Sequence, residues 1–298
     1  MIIEFFFYVF IVGSIIAALA YFGDRYEREP LFRIFNAIIL GITSTLVVVI
    51  VKKIFPFPAY ASNPTWGNTI LVSYLSAGFM EELAKFAVIL CLIYKWDDFN
   101  EYYDGPLYVG LVGIGFAISE NLGYMLKSLA NLVVSNANLD TNFLRLIALK
   151  SLVKYRLYPG HFLFGFIAGY FIAKAKFKEE EGGKAREGIY ICIGFVIALF
   201  LHGTFNTIAI RGSIISFLGY VLFLMLIVIF IGWKSLRKSV FKKDILEKLP
   251  ERKRNRLKEI LLSSKKEKIT FGYVFLLGIL IIVYQFFIYF VIYIISIL

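Results

Sequence analysis

Eight stretches of this chain are long and apolar enough to cross a lipid bilayer: residues 2–22, 34–51, 69–94, 107–126, 158–173, 188–209, 213–233 and 272–298. A spanning helix needs about 20 mostly apolar residues. In hydrocarbon each segment must satisfy its own backbone N–H and C=O groups, which leaves only helices. The fifth stretch is the shortest, and the mixed segment before it, 127–157, reads either as re-entrant or as an amphipathic linker. No connection can build a soluble domain, because the longest, 234–271, is too basic to form a core. The expected fold is an all-α, polytopic membrane helix bundle of about eight transmembrane helices, a single domain over residues 1–298.

Composition agrees, with 59% hydrophobic and 18% charged residues against about 45–50% and about 25% in soluble domains. The first stretch ends in a signal-like Ala18-Leu19-Ala20, but no basic residue precedes it and Glu4 lies near its start, so it reads as a retained span. Cys91 and Cys192 both sit in apolar runs, which argues against a disulfide framework.

Orientation follows from Lys and Arg in the connections. Those after the first, third, fifth and seventh spans carry 23 basic residues, the opposite set carries 8, and Lys85 lies inside a span. Both termini are therefore expected outside the cell membrane, with the 234–271 loop in the cytoplasm. Residues 234–268 hold +9 of the chain's net +11. Their roughly helical apolar spacing (Val240, Phe241, Ile245, Leu246, Leu257, Ile260, Leu261) suits a basic helix resting on anionic headgroups, so the charge is not a nucleic-acid signature.

Ionisable residues within spans are costly and mark functional sites by default. The third span contains Glu81, Glu82 and Lys85, with the lysine one turn beyond either carboxylate. The fourth holds Phe116, Glu120 and Asn121, and the fifth opens on Pro159-Gly160-His161. The sixth places His202 and Asn206 on one face. At about 1.5 Å per residue, Glu81 lies roughly 18 Å from the Thr69 end of its span, Glu120 roughly 9 Å from Leu126, and His202 roughly 10 Å from Ala209. All these ends face outward in the topology above. Both histidines of the chain thus join the carboxylates in the middle and outer half of the membrane. Gly165 and Gly169, four apart, allow a close helix approach.

Such a cluster suits hydrolysis. A glutamate can take a proton from water and pass it to a leaving amine, while imidazole or amide N–H groups stabilise an oxyanion. Two histidines and a glutamate (Glu81, His161 and His202) could instead hold zinc with a position left for water. The lack of an HExxH sequence argues against a zincin arrangement. A proton-coupled transporter would use the same residue types.

In order along the chain, the motifs resemble those of the PrsW family of intramembrane proteases, relatives of the CAAX prenyl endopeptidase and of bacteriocin-processing enzymes. Residues 24–30, with Asp24, Tyr26, Glu27, Glu29 and Pro30, are similar to that family's DxYExEP segment. Glu81-Glu82-x-x-Lys85 matches its EExxK signature. Asp104-Gly105 leads into Gly115-Phe116-Ala117-Ile118-Ser119-Glu120-Asn121, and His161 and His202-Gly203-x-x-Asn206 complete the set. The resemblance implies an endopeptidase that cuts a transmembrane protein substrate near the extracytoplasmic side, as the founding member does to an anti-sigma factor. It implies water activation by Glu81 and Glu82, assistance from His161, and oxyanion donors at His202 and Asn206; the favoured expectation is that no cofactor is required, with zinc as the alternative. Glu120, also a catalytic candidate, stands where the CAAX relatives have a histidine, which implies that it tunes or orients; Lys85, Phe116 and Asn121 are expected to support the site.

Overall fold

The computed structural model describes residues 2–24, 27–55, 57–134 and 160–241, with Glu251, Arg252 and Asn255. The expected eighth span, 272–298, residues 135–157 of the ambiguous segment, and nearly all of the basic loop beyond residue 241 lie outside these residues. Among the described residues every regular element is helical.

Helix α1 spans Ile2–Gly23 and α2 spans Leu31–Ile54. The expected third span is a continuous run of three helical pieces: α3, Trp66–Leu71, a π-helical segment, Val72–Phe79, and α4, Met80–Cys91. Thr65 caps α3, its hydroxyl accepting from the Asn68 N–H at 3.2 Å. After a short 3-10 turn, Ile93–Lys95, α5 runs over Asp104–Val134, α6 over Gly160–Arg211 and α7 over Ile214–Phe241. Helix α6 is two arms joined at Gly183, whose φ of 71° only glycine adopts readily.

Three differences from the expected spans share one cause: an apolar run ends at the first charges, whereas a helix continues past them wherever its backbone bonds are met. The weak fifth span becomes a full first arm of α6, α5 extends through Lys127 to Val134, and α7 takes in the first residues of the basic loop. By length and composition, Leu31–Ile54, Gly183–Arg211 and Ile215–Ser239 are able to cross a membrane, and Phe10–Gly23 is a shorter apolar helix.

Helix α2 is inside-out relative to a soluble helix. Its buried positions are mostly small or polar, including Ala37, Gly41, Ser44 and Thr45, while Phe35, Ile39, Leu46 and Ile50 point outward. With lipid outside, large apolar side chains gain nothing by turning inward, and small ones let backbones approach. Helix α5 lies at the centre, packed on α2 and on the first arm of α6. A Cβ on Gly169 would stand 2.2 Å from the Gly105 carbonyl oxygen, and one on Gly113 2.2 Å from that of His161. The close approach expected from Gly165 and Gly169 is therefore made with α5, and it seats the start of α6 where His161 emerges. Gly169→Val forces the two backbones apart, and overpacking of this kind costs about 1–3 kcal/mol or more. Thermal unfolding in detergent should show a clearly lowered midpoint for it, with wild-type behaviour for Gly123→Ala, whose added carbon meets nothing within 4 Å.

At one end of the bundle, basic residues lie over aromatic rings: Lys238 over Tyr102, Arg237 over Trp233, and Lys176 over Phe99. Rings and cations of this kind favour the membrane–water interface. Glu81, Glu120, His161 and His202 lie away from this end, around a cavity.

Candidate active site

The glutamate pair follows directly on the π-helical segment. Gly78 and Gly203 bring this segment against the second arm of α6: a Cβ on Gly78 would lie 3.0 Å from the Leu199 carbonyl, and one on Gly203 2.5 Å from the Tyr74 ring. The Tyr74 hydroxyl shares a 2.7 Å hydrogen bond with the Thr204 hydroxyl. The glycine after His202 is thus the seat of Tyr74. Departures into π geometry inside α-helices recur at functional sites.

Glu82 and Glu81, adjacent in sequence, have different surroundings. Glu82 is buried and accepts from the Lys85 ammonium at 2.6 Å and pairs with His202 Nδ1 at 2.8 Å. Glu81 lines a cavity of about 520 Å³ together with Glu120, His161, His202, Asn121 and Asn206. Its Oε2 is buried with no hydrogen-bond partner and stands 3.8 Å from His202 Nε2. Lys52, at the end of α2, lies 3.6 Å from its Oε1.

These contacts set the imidazole tautomers. An ammonium can only donate, so Lys85 donates to His161 Nδ1 at 3.2 Å, and the ring proton sits on Nε2, which donates to Glu120 at 2.9 Å. Likewise His202 donates from Nδ1 to the Glu82 carboxylate, and in the neutral ring this leaves Nε2 as the acceptor on the Glu81 side. Phe116 is the wall behind this arrangement, with Lys85 Nζ 4.9 Å from its ring centre and the His161 ring also at 4.9 Å. The rings of His161 and His202 meet edge to face at 4.8 Å.

All four expected helices therefore converge, and every expected site residue is either on the cavity or directly behind it. Lys85 takes Glu82 and leaves Glu81 to Lys52. Sequence reasoning missed Lys52, although a usable signal existed, since the second span was expected to exit on the same outer side as Glu81.

A family profile described as PrsW family intramembrane metalloprotease matches residues 29–233, more than half of the chain. The chain belongs to the PrsW family. It is 26% identical to Protease PrsW of Bacillus subtilis (strain 168) over 226 residues, covering 75% of this chain and 89% of that protein. It is also 26% identical to Protease PrsW of Geobacillus kaustophilus over 75% of this chain and 86% of the relative, and 27% identical to that of Clostridioides difficile over 67% and 78%. No solved structure matches the chain. As a PrsW-family member it is a membrane peptidase, and the family match takes in Glu81, Glu120, His161 and His202.

Proposed function

We propose that the protein is an intramembrane endopeptidase that cuts a membrane-protein substrate, of the anti-sigma-factor kind, near the extracytoplasmic side, with Glu81 as the group that activates water. The single observation that carries this reading is the Glu81 carboxylate on the cavity wall, with one oxygen unpartnered and facing the acceptor nitrogen of His202. The 3.8 Å between Glu81 Oε2 and His202 Nε2 is too long for a hydrogen bond and short enough for one water oxygen to reach both. Glu81 takes the water proton as the hydroxide attacks the peptide carbonyl. Asn206, one turn beyond His202, offers its amide N–H groups to the oxyanion. As the C–N bond breaks, Glu81 passes that same proton to the leaving amine, with the Glu120–His161 pair beside it on the cavity wall, and Glu82 with Lys85 holds His202 and His161 in register.

A second reading, a zinc protease on the same residues, rests on a specific observation. Glu81, His161 and His202 can each place one ligand atom within 4.8 Å of the other two, and each imidazole leans on a carboxylate through a ring nitrogen. The donor set fits zinc, and Lys85 must then release His161 Nδ1. Bound there, the metal would supply Lewis-acid polarisation of the carbonyl and a more acidic water. Metal analysis of purified protein separates the two readings. Full activity after exhaustive chelation supports the metal-free carboxylate mechanism. About one equivalent of zinc, lost together with activity in His202→Ala and restoring the chelated wild type, supports the metallo mechanism.

The reading includes about eight membrane crossings, both termini outside, and residues 234–268 on anionic cytoplasmic headgroups. A cysteine placed in that loop should react with a membrane-impermeant reagent only after the cytoplasmic face is opened. Labelling of intact cells would reverse the orientation.

A further inference from the structure

Helix α5 begins at Asp104 and carries Glu120 16 residues later, so the two stand about 24 Å apart along one helix. Around Asp104 a second group of buried acids collects, which the hydrolytic site does not use. Asp24 comes from the end of α1, Glu101 from the turn before α5, and Asp104 from its first residue. All three are fully buried. One carboxylate oxygen of each lies within 4.8 Å of the other two.

The group is built to hold this geometry. Asp104 Oδ2 accepts from the backbone N–H groups of Asn100 and Glu101 at 2.8 and 2.6 Å, which aims its other oxygen, unpartnered, at the cluster. The Tyr103 hydroxyl donates to the Ala20 carbonyl at 2.9 Å, and its backbone N–H donates to the Ser239 hydroxyl at 3.1 Å, tying α1 and α7 to the same turn. Glu29, beside the cluster, accepts from the Tyr108 hydroxyl.

Glu101 is the independent observation that points to a ligand. Its side chain has no exposed surface, and neither carboxylate oxygen has a hydrogen-bond partner. Carboxylates removed from water without compensation are costly, so three acids buried this close together must be neutralised, either by shared protons or by a bound cation.

We propose that Asp24, Glu101 and Asp104 form a hard divalent-cation site, for Ca²⁺ or Mg²⁺, at the end of the bundle remote from the hydrolytic cavity. All-oxygen anionic ligands select this class over zinc, which takes nitrogen and sulfur readily. Oxygens up to 4.8 Å apart suit the Ca²⁺–oxygen contact of about 2.3–2.6 Å directly, whereas Mg²⁺, at about 2.0–2.1 Å, draws them inward. The ion staples the end of α1 and the turn at 92–103 to the start of α5, the helix that carries Glu120. It also gives the Asp24 to Glu29 motif and Asp104 a purpose outside the chemistry.

Terbium luminescence on the full chain in detergent tests this, with Tyr103, between two of the ligands, as the light-absorbing donor. Saturable Tb³⁺ emission is expected, displaced by Ca²⁺, and by Mg²⁺ at higher concentration, but not by equimolar Zn²⁺. Glu101→Gln and Asp104→Asn should each weaken Tb³⁺ binding by about tenfold or more, while Glu81→Gln leaves it unchanged. If the two site variants fail to fold, the wild type still decides: Ca²⁺ must displace the ion and raise the unfolding midpoint. No saturable emission, emission that survives Glu101→Gln, or emission lost in Glu81→Gln overturns the site. A cluster held by shared protons instead gives no saturable emission and a Glu101→Gln variant at least as stable as wild type in EDTA.

Discussion

Glu81→Gln should lower cleavage of a single-span reporter by about 10³-fold or more, the scale of losing a catalytic base, while leaving the fold intact. The substitution is nearly isosteric, and among the described residues the ion pair it removes from Oε1 is the 3.6 Å contact with half-exposed Lys52. Its unpartnered Oε2 contributes no hydrogen bond to stability. Glu82→Gln should behave differently. It breaks the bonds to Lys85 and His202, so stability and activity fall together. Unfolding midpoints measured beside reporter cleavage separate the two: activity lost at constant midpoint marks Glu81 as the reacting group. Equal losses of stability in both variants would make Glu81 a packing residue.

Lys85→Met should be the most destabilising single change in the bundle. Lys85 is buried, bonded to Glu82 at 2.6 Å, and seated over Phe116. Removing one partner of a buried ion pair costs about 3–5 kcal/mol, because the other charge is left uncompensated. Adding Glu82→Gln to Lys85→Met removes that charge and should recover a large part of the loss. A double variant as unstable as the sum of the singles would show that the pair does not act as a unit. Neither variant should cleave, since His161 loses its Lys85 contact in both, and His202 also loses the Glu82 carboxylate in the double variant.

The helical class and the inward convergence of four helices were legible in the sequence. Residues such as Glu81 and His202 are too costly in lipid to face it, and simple rise along a helix placed them at compatible depths. Gly165 and Gly169 announced a close contact without naming its partner, since spacing on one helix carries no information about the facing one. The π-helical segment before Glu81 left no sequence signal, because its hydrogen-bond pattern is set by Gly78 and Gly203 meeting across two helices. Lys52 was assigned to a loop because hydropathy ends at a charge, although α2 continues through Ile54. Nothing in the sequence marks Glu101, whose buried acidic neighbours gather only once the end of α1 folds against the start of α5. Periodicity reads what a helix does to itself, and these three features depend on neighbours.

The central claim is that this one chain hydrolyses a peptide bond with Glu81. The direct measurement is cleavage of a single-span reporter by purified protein in liposomes, with wild type and Glu81→Gln compared at equal folded content. The account predicts a cut near the extracytoplasmic end of the reporter span with wild type and none with Glu81→Gln. Cleavage by Glu81→Gln at the wild-type rate would contradict it.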